Sequence, residues 1–348
     1  MKPHVLVSVY NISGYLVAEL EALLKYADIA VIESPCDIPK GRLESAVKWI
    51  DRREQRNVGD VSRSLNDFEP DVYLCGGWAD RLFVDYARCA HRAGVKTVLL
   101  VDTPWKGTFR QWIHCLMSRV TLTPTFDFAW GAGEPQRLHL RRLGFRASCI
   151  RTGYYCADTA KFEPIGEART SRFASEKEWP HIMLYIGRYT SAKNMRRMER
   201  AFVKVSEGTD WKLRCIGSGE LWDERTIHPR IEHLGYKSPA EIQDFVKNAG
   251  CFVLPSVYEP WGVVVHEAAL MGLPLLCSSQ IQAATAYLKE GENGYTFDPL
   301  NEDSMAKAFV KTMSLSDEDL ATMGHHSHLL GKMYVLSDWV QTVLDFLR

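Results

Sequence analysis

No stretch of this 348-residue sequence approaches the roughly 18 unbroken apolar residues that a membrane-spanning helix needs. The apolar run after Met1-Lys2-Pro3-His4 is too short for a secretory signal with its cleavage site and reads as a first buried strand. Disulfide patterning is also missing. The nine cysteines include no C-x-x-C pair and their odd number argues against a complete framework, so they read mostly as core thiols of a reducing compartment. Nor does one sign of charge dominate: 42 Lys and Arg stand against 43 Asp and Glu, a net charge of -1. That excludes a global field attracting nucleic acid or a membrane, and any such patch has to be local. There is no G-x-x-x-x-G-K-[ST] loop, and neither half opens with G-x-G-x-x-G after its first strand, which excludes P-loop chemistry and disfavours hydride transfer. These absences imply a cytoplasmic protein, with peripheral contact at the inner face of a membrane as the membrane role left open.

What is present is a folded globular composition, 46% apolar and 24% charged. The length exceeds what one core usually serves, so two domains are expected, with a cleft between them as the natural place for a site. Short apolar runs alternate with helical patterns, the signature of parallel sheets covered by helices. Strands are expected at 4–10, 28–33, 71–75, 96–101, 126–130 and 148–152, then at 181–186, 212–216, 231–234, 251–254, 274–277 and 294–297. Helices are expected at 15–26 and 79–93, and the last fifty residues read as helical, with Ser316-x-x-Asp319 as a capping pattern. The polar stretch from Cys156 to Pro180, interrupted by Glu163-Pro164-Ile165-Gly166, reads as the linker between domains.

The densest chemistry lies between Pro255 and Pro274, which reads as strand, loop, helix, strand. A loop entering a helix N-terminus leaves amide donors around Gly262–Val264 for sugar hydroxyls or phosphate oxygens. Glu259 in the loop and Glu267 about a turn into the helix can face one crevice at the carboxyl edge of the sheet, and carboxylates accept paired hydrogen bonds from vicinal hydroxyls. Spacing alone leaves a second reading open, with Glu267 paired inside a buried helix and Glu259 solvated. Arg188 and Lys193, five apart, are by themselves ordinary surface cations; at the carboxyl end of a strand beside Glu259 they become candidates for holding an anion.

Glu259-x7-Glu267, set in Pro-Ser-x-x-Glu-Pro-Trp-Gly and closed by Met-Gly-Leu-Pro, resembles the donor-site signature of retaining glycosyltransferase family 4, the glycosyl transferases group 1. Gly187-Arg188-x4-Lys193-Asn194, Ile216-Gly217-Ser218-Gly219 and Leu234-Gly235-Tyr236-Lys237 resemble further family segments in the same order. The resemblance implies an α/β protein of the GT-B fold, two Rossmann-like parallel-sheet domains facing across a cleft. Residues 1–155 would form the acceptor side, with a terminal helix at 336–348 bearing Trp339 crossing back onto it, and residues 156–335 the donor side. It implies catalytic roles for Glu259, Arg188, Lys193 and Asp102, and donor binding by Gly14, Gly217, Tyr236, Trp261, Gly262, Val263 and Glu267. The implied reaction moves a sugar, with retention, from a nucleotide-diphosphate sugar to a saccharide or lipid-linked acceptor, without metal or other cofactor and without nucleic acid, in the synthesis of bacterial surface polysaccharide or another glycoconjugate.

Three segments depart from the family pattern. The usual glycine pair after the first strand is reduced to Ser13-Gly14, where Gly14 either lets the backbone approach phosphates or only begins a helix. Asp102 stands where most members carry a histidine, leaving open whether it orients the acceptor, whether His114 supplies the imidazole, or whether Asp102 caps the next helix. Ser278–Ala284 lacks the usual glycines and glutamate, so the identity of the sugar does not transfer. Asp317-Glu318-Asp319 matches a metal-binding pattern of another glycosyltransferase fold but reads as the start of a helix, and His325, His326 and His328 read as a solvated face. The basic runs Arg137, Arg141, Arg142, Arg146 and Lys48, Arg52, Arg53, Arg56 read as solvated faces or as a local docking surface for anionic lipid. The rival readings are a nucleotide-sugar-binding GT-B protein without transferase activity, a nucleotide-sugar epimerase and a phosphorylase.

Overall fold

The computed structural model describes residues 2–176 and 178–348. The chain forms two compact units, one running to Asp158 and completed by Tyr334–Arg348, the other Thr159–Met333. The first is built on strands β1 (His4–Ser8), β2 (Asp28–Glu33), β3 (Lys48–Asp51), β4 (Val72–Cys75), β5 (Lys96–Val101), β6 (Phe128–Gly131) and β7 (Ile150–Thr152). They form one sheet in the order β3-β2-β1-β4-β5-β6-β7, with every pairing parallel. Helices α1 (Gly14–Leu23), α2 (Leu43–Ala46), α3 (Val58–Leu65), α4 (Arg81–Arg92), α5 (Phe109–Thr121) and α6 (Glu134–Leu143) connect them.

The inner strands β1, β2, β4 and β5 are mostly apolar on both faces because both faces are covered. Along β1, Leu6 joins a core with Tyr73, Leu99, Phe83 and Leu140, while Val5 and Val7 join the opposite core with Ile29, Leu74, Leu20 and Trp130.

The second unit carries β8 (Ile182–Ile186), β9 (Lys212–Ile216), β10 (Ile231–His233), β11 (Cys251–Leu254), β12 (Leu275–Ser278) and β13 (Gly294–Phe297), a parallel sheet ordered β10-β9-β8-β11-β12-β13. Its helices are α7 (Thr159–Ser175), α8 (Met195–Ser206), α9 (Pro239–Lys247), α10 (Val263–Leu270), α11 (Ala284–Tyr287), α12 (Glu302–Met313) and α13 (Asp317–Gly331). The last helix, α14 (Leu336–Asp345), packs against the first unit, where Trp339 is buried beside Trp130 and donates its indole N–H to the Tyr154 carbonyl at 2.9 Å.

The stretch expected to be a linker is instead mostly α7, with Pro164 inside it. Proline removes one helical hydrogen bond there, yet packing holds the helix. A Cβ on Gly166 would stand 2.0 Å from the Leu270 carbonyl oxygen, so that glycine marks a close helix approach and not a break. Buried Arg169 fastens the same helix by donating to the carbonyls of Val246, Lys247 and Ala249 at the C-terminal end of α9. Burial, with the nearby Arg172, lowers its pKa to about 9.

Residues 48–51, where no strand was expected, form the edge strand β3. His328 was expected on a solvated face. It is buried and donates from Nδ1 to the Leu270 carbonyl at 2.6 Å, while His326 Nδ1 lies 3.1 Å from the Glu292 carbonyl. Ser316 caps α13, accepting from the Asp319 amide at 3.1 Å, and Asp317 accepts from Trp179 N–H at 3.0 Å and meets His181 Nε2 at 2.9 Å. Among the described residues no three His, Cys, Asp or Glu side chains group so as to hold a metal, and no helix is long and apolar enough to cross a membrane. Six of the nine cysteines are buried, and burial raises the Cys75 pKa to about 12.

Candidate functional site

In the second unit the strand order reverses between β8 and β11, since β9 and β10 extend from one side of that pair and β12 and β13 from the other. Such a switch point opens a crevice beyond the carboxyl ends of its two strands. Gly187–Asn194 follows β8, and Pro255–Gly262 follows β11.

The two loops are tied together. The Val257 amide donates to the Ala192 carbonyl at 2.9 Å, and the Asn194 side chain donates to the carbonyls of Pro255 and Pro299 at 3.1 and 2.8 Å. Asn194 sits in the left-handed region at φ 58°, where an asparagine costs less than most residues. Across this seam the Lys193 ammonium pairs with the Glu259 carboxylate, both largely withdrawn from solvent. Ser256 Oγ lies 3.4 Å from the same carboxylate oxygen. The loop after β12 locks the other side: Glu259 bridges to Ile281, the Trp261 carbonyl accepts from Ala283, and Ser278 Oγ donates to the Ser256 carbonyl at 2.5 Å.

Arg188 is placed by its neighbours. The Tyr185 hydroxyl donates to the Arg188 carbonyl at 2.9 Å, and burial, reinforced by Cys215 and Glu259, raises that phenol's pKa so that it stays a donor. Gly217 serves the same loop. It sits at φ 134°, and a Cβ there would stand 1.9 Å from the Gly187 carbonyl oxygen, so only glycine lets the loops after β8 and β9 close on each other. The Arg188 guanidinium itself is exposed and has no ion-pair partner among the described residues.

Gly262, at φ 100°, precedes α10 and supplies no side-chain cap to its first amides. A Cβ at Gly262 would lie 3.0 Å from Glu259 Cγ, so the glycine also makes room for that carboxylate. Val263 opens the helix, and Glu267 lies half-buried one turn on. The structure therefore brings Lys193, Glu259, Gly262 and Val263 to one switch point, with Arg188 on the same loop as Lys193. The Trp261 ring is turned inward, 4% exposed and packed edge-on against Tyr287, which leaves its backbone as the part near the loop surface. Tyr236, 74% exposed, lies just past β10, and its neighbour Gly235 accepts from the Gly217 amide at 2.8 Å.

The first unit has its own switch point, between β1 and β4. Gly14 begins α1 beyond β1, with Ser13 as cap, and a Cβ on Gly14 would meet nothing within 4 Å. Asp102 follows β5 directly. Its carboxylate accepts from Thr103 Oγ1 and from the Tyr155 hydroxyl, each at 3.2 Å, and its carbonyl accepts from Gln136 at 2.7 Å. The reading of Asp102 as a helix cap fails, because Thr108 caps α5. His114 is exposed on α5, edge-on to Trp78.

The imidazole that sequence reasoning missed is His139, buried on α6. Its Nδ1 donates to the Thr103 carbonyl at 2.8 Å, Nε2 has no hydrogen-bond partner among the described residues, and Trp78 and Trp105 flank the ring. Burial, aided by His114, lowers its pKa, so the ring is neutral with a lone pair on Nε2. Between Arg137 and Arg141-Arg142, its position in the sequence looks solvated, and only the packing of α6 marks it out.

A groove of about 930 Å³ between α7 and α13, lined by Phe173, Trp179, Asp317 and His325, lies away from these loops and gathers no comparable set of groups.

Across 99% of this chain and 98% of the other, the structure matches Anabaena HepE solved in complex with UDP and glucose, with a TM-score of 0.74 and 14% identity. That likeness is one of fold, and the fold is GT-B: two parallel-sheet Rossmann-like domains. Residues 167–326, inside the second unit, match the family model described as Glycosyl transferases group 1. An uncharacterized glycosyltransferase of Methanocaldococcus jannaschii is 31% identical over 140 residues, 38% of this chain and 36% of that relative. The lipopolysaccharide 1,6-galactosyltransferase of Salmonella typhimurium is 22% identical over 266 residues, 73% of this chain and 69% of the relative.

Proposed function

We propose that the protein is a retaining glycosyltransferase of family 4 that moves a sugar from a nucleotide-diphosphate sugar to a saccharide or lipid-linked acceptor, without a metal ion. The carrying observation is the β8–β11 switch point, where the Lys193–Glu259 pair adjoins a helix N-terminus without a side-chain cap and an exposed Arg188 with no ion pair among the described residues. A diphosphate suits that set: two cations and free amides meet its charge, while Glu259 and Glu267 can accept from vicinal sugar hydroxyls. The match to glycosyl transferases group 1 covers these residues, and a relative named as a lipopolysaccharide galactosyltransferase supports a surface polysaccharide as product.

In this reading the acceptor oxygen attacks the face from which the diphosphate departs, and the leaving diphosphate takes the acceptor proton. Arg188, Lys193 and the amides from Gly262 onward stabilise the charge growing on it. Asp102, fixed by Tyr155, serves the acceptor side, and buried His139 holds the Thr103 carbonyl beside it. Turnover is tested by release of nucleoside diphosphate from a panel of donor sugars in the presence of chelator. Arg188→Ala is expected to cut kcat by roughly a hundredfold or more, the scale of losing one preorganised charge stabiliser. Wild-type turnover in that variant would remove Arg188 from the mechanism.

A further inference from the structure

Helix α5 presents outward what a helix of a globular protein usually presents to the core. Six of its 13 residues are large apolar side chains open to solvent: Phe109, Trp112, Ile113, Leu116, Met117 and Val120, with Phe109, Leu116 and Val120 each more than 70% exposed. At about 100° per residue these six fall within an arc of roughly 140°. The buried residues Cys115 and Ser118 lie on the opposite side, against the first unit. An arginine stands at each edge of the apolar arc, Arg110 at one and Arg119 at the other, both exposed and without an ion pair among the described residues.

The charge along this stretch of chain has one sign. No Asp or Glu occurs from Thr103 to Phe126, a stretch that also holds Lys106. On neighbouring α6, Arg142 stacks over Trp105 and Trp112 at 4.6 and 5.5 Å, and Arg141 and Arg146 are exposed close by in the chain. The second basic run of the sequence offers no such surface, because Arg52 pairs with Asp80 and Arg53 with Asp51.

We propose that α5 is a docking helix that lies flat in the surface of an anionic lipid bilayer. Leu116, Phe109 and Val120 enter the acyl boundary, Trp112 sits at the headgroup level, and Arg110 and Arg119 meet lipid phosphates. An apolar face edged by basic residues is the form interfacial helices take. Charge complementarity selects the bilayer over a second copy of the chain. A two-fold contact along α5 would bring the arginines of both copies together with no acid to pair them.

The test is flotation of the full chain with vesicles of phosphatidylglycerol and phosphatidylcholine in equal parts, or of phosphatidylcholine alone. Wild type is expected to float with the mixed vesicles, to float far less with the neutral ones, and to lose binding as salt screens the arginines. Leu116→Asp with Val120→Asp, at exposed positions whose folding is checked by circular dichroism, is expected to lower the bound fraction about tenfold or more. Arg110→Glu with Arg119→Glu is expected to remove the preference for anionic lipid. Absence of wild-type binding, or equal binding by the aspartate variant, would overturn the proposal. So would light scattering that shows a wild-type dimer dissolved by the same variant. No donor or acceptor enters the experiment, so its failure would leave the transferase reading untouched.

Discussion

Lys193 and Arg188 are not equivalent toward an anion, because Glu259 already neutralises the first and, among the described residues, no carboxylate pairs with the second. Their spacing and the two glutamates were legible in the sequence, since loop residues at strand ends keep their order whatever the packing. The residues that aim them were not. Tyr185 looks like any strand tyrosine, and the need for Gly217 arises from a carbonyl thirty positions away in sequence. Burial hid Glu19 in the same way. Its carboxylate accepts from the Cys156 amide at 2.7 Å inside the first unit, and burial, opposed by that bond, raises its pKa well above the usual carboxyl range. Its proton therefore stabilises the fold fully below the unfolded pKa of about 4.3, and that contribution is lost as pH rises toward the folded value. Glu19→Gln keeps an oxygen for the amide and cannot ionise. Thermal melts are expected to show it more stable than wild type at mildly alkaline pH, on the order of 1 kcal/mol, with the gain vanishing near the unfolded pKa. An unchanged pH slope would remove Glu19 as its source.

Elements with both faces buried were the easiest to read. β2, β5 and β11 occupy the ranges expected of them, because a strand covered on both sides shows as a nearly unbroken apolar run. β3 was missed since Lys48-Trp49-Ile50-Asp51 is short, alternates and has only one neighbour in the sheet. α7 was missed for the opposite reason: Pro164 and Gly166 look like punctuation, whereas the helix is held by α10, α13 and Arg169. Gly166→Ala tests this packing. Its Cβ would meet the Leu270 carbonyl and, at 2.3 Å, His328 Nδ1, so a loss of about 1–3 kcal/mol in denaturant melts is expected although alanine is the better helix former. A gain in stability would mean that α7 stands off from α10.

At the scale of the whole molecule, each unit repeats one plan: a parallel sheet whose order reverses once, with loops beyond the reversal holding the candidate site residues. That plan follows from right-handed crossovers laid out in both directions from a first strand. It places Arg188, Lys193 and Glu259 at the second unit's reversal, Gly14 beside the first unit's, and Asp102 one strand beyond it. The alternation of short apolar runs with helices carried this much. The direction of each side chain, including the outward apolar face of α5, came only with packing.

Calorimetric titration of the purified chain, without added metal, against UDP, GDP, ADP, CMP and TDP tests the central claim most directly. The account predicts selective micromolar binding of one nucleoside diphosphate by wild type and a loss of about tenfold or more with Arg188→Ala. Absence of binding to every nucleotide by demonstrably folded protein, or equal affinity in the variant, would contradict a donor site at this switch point.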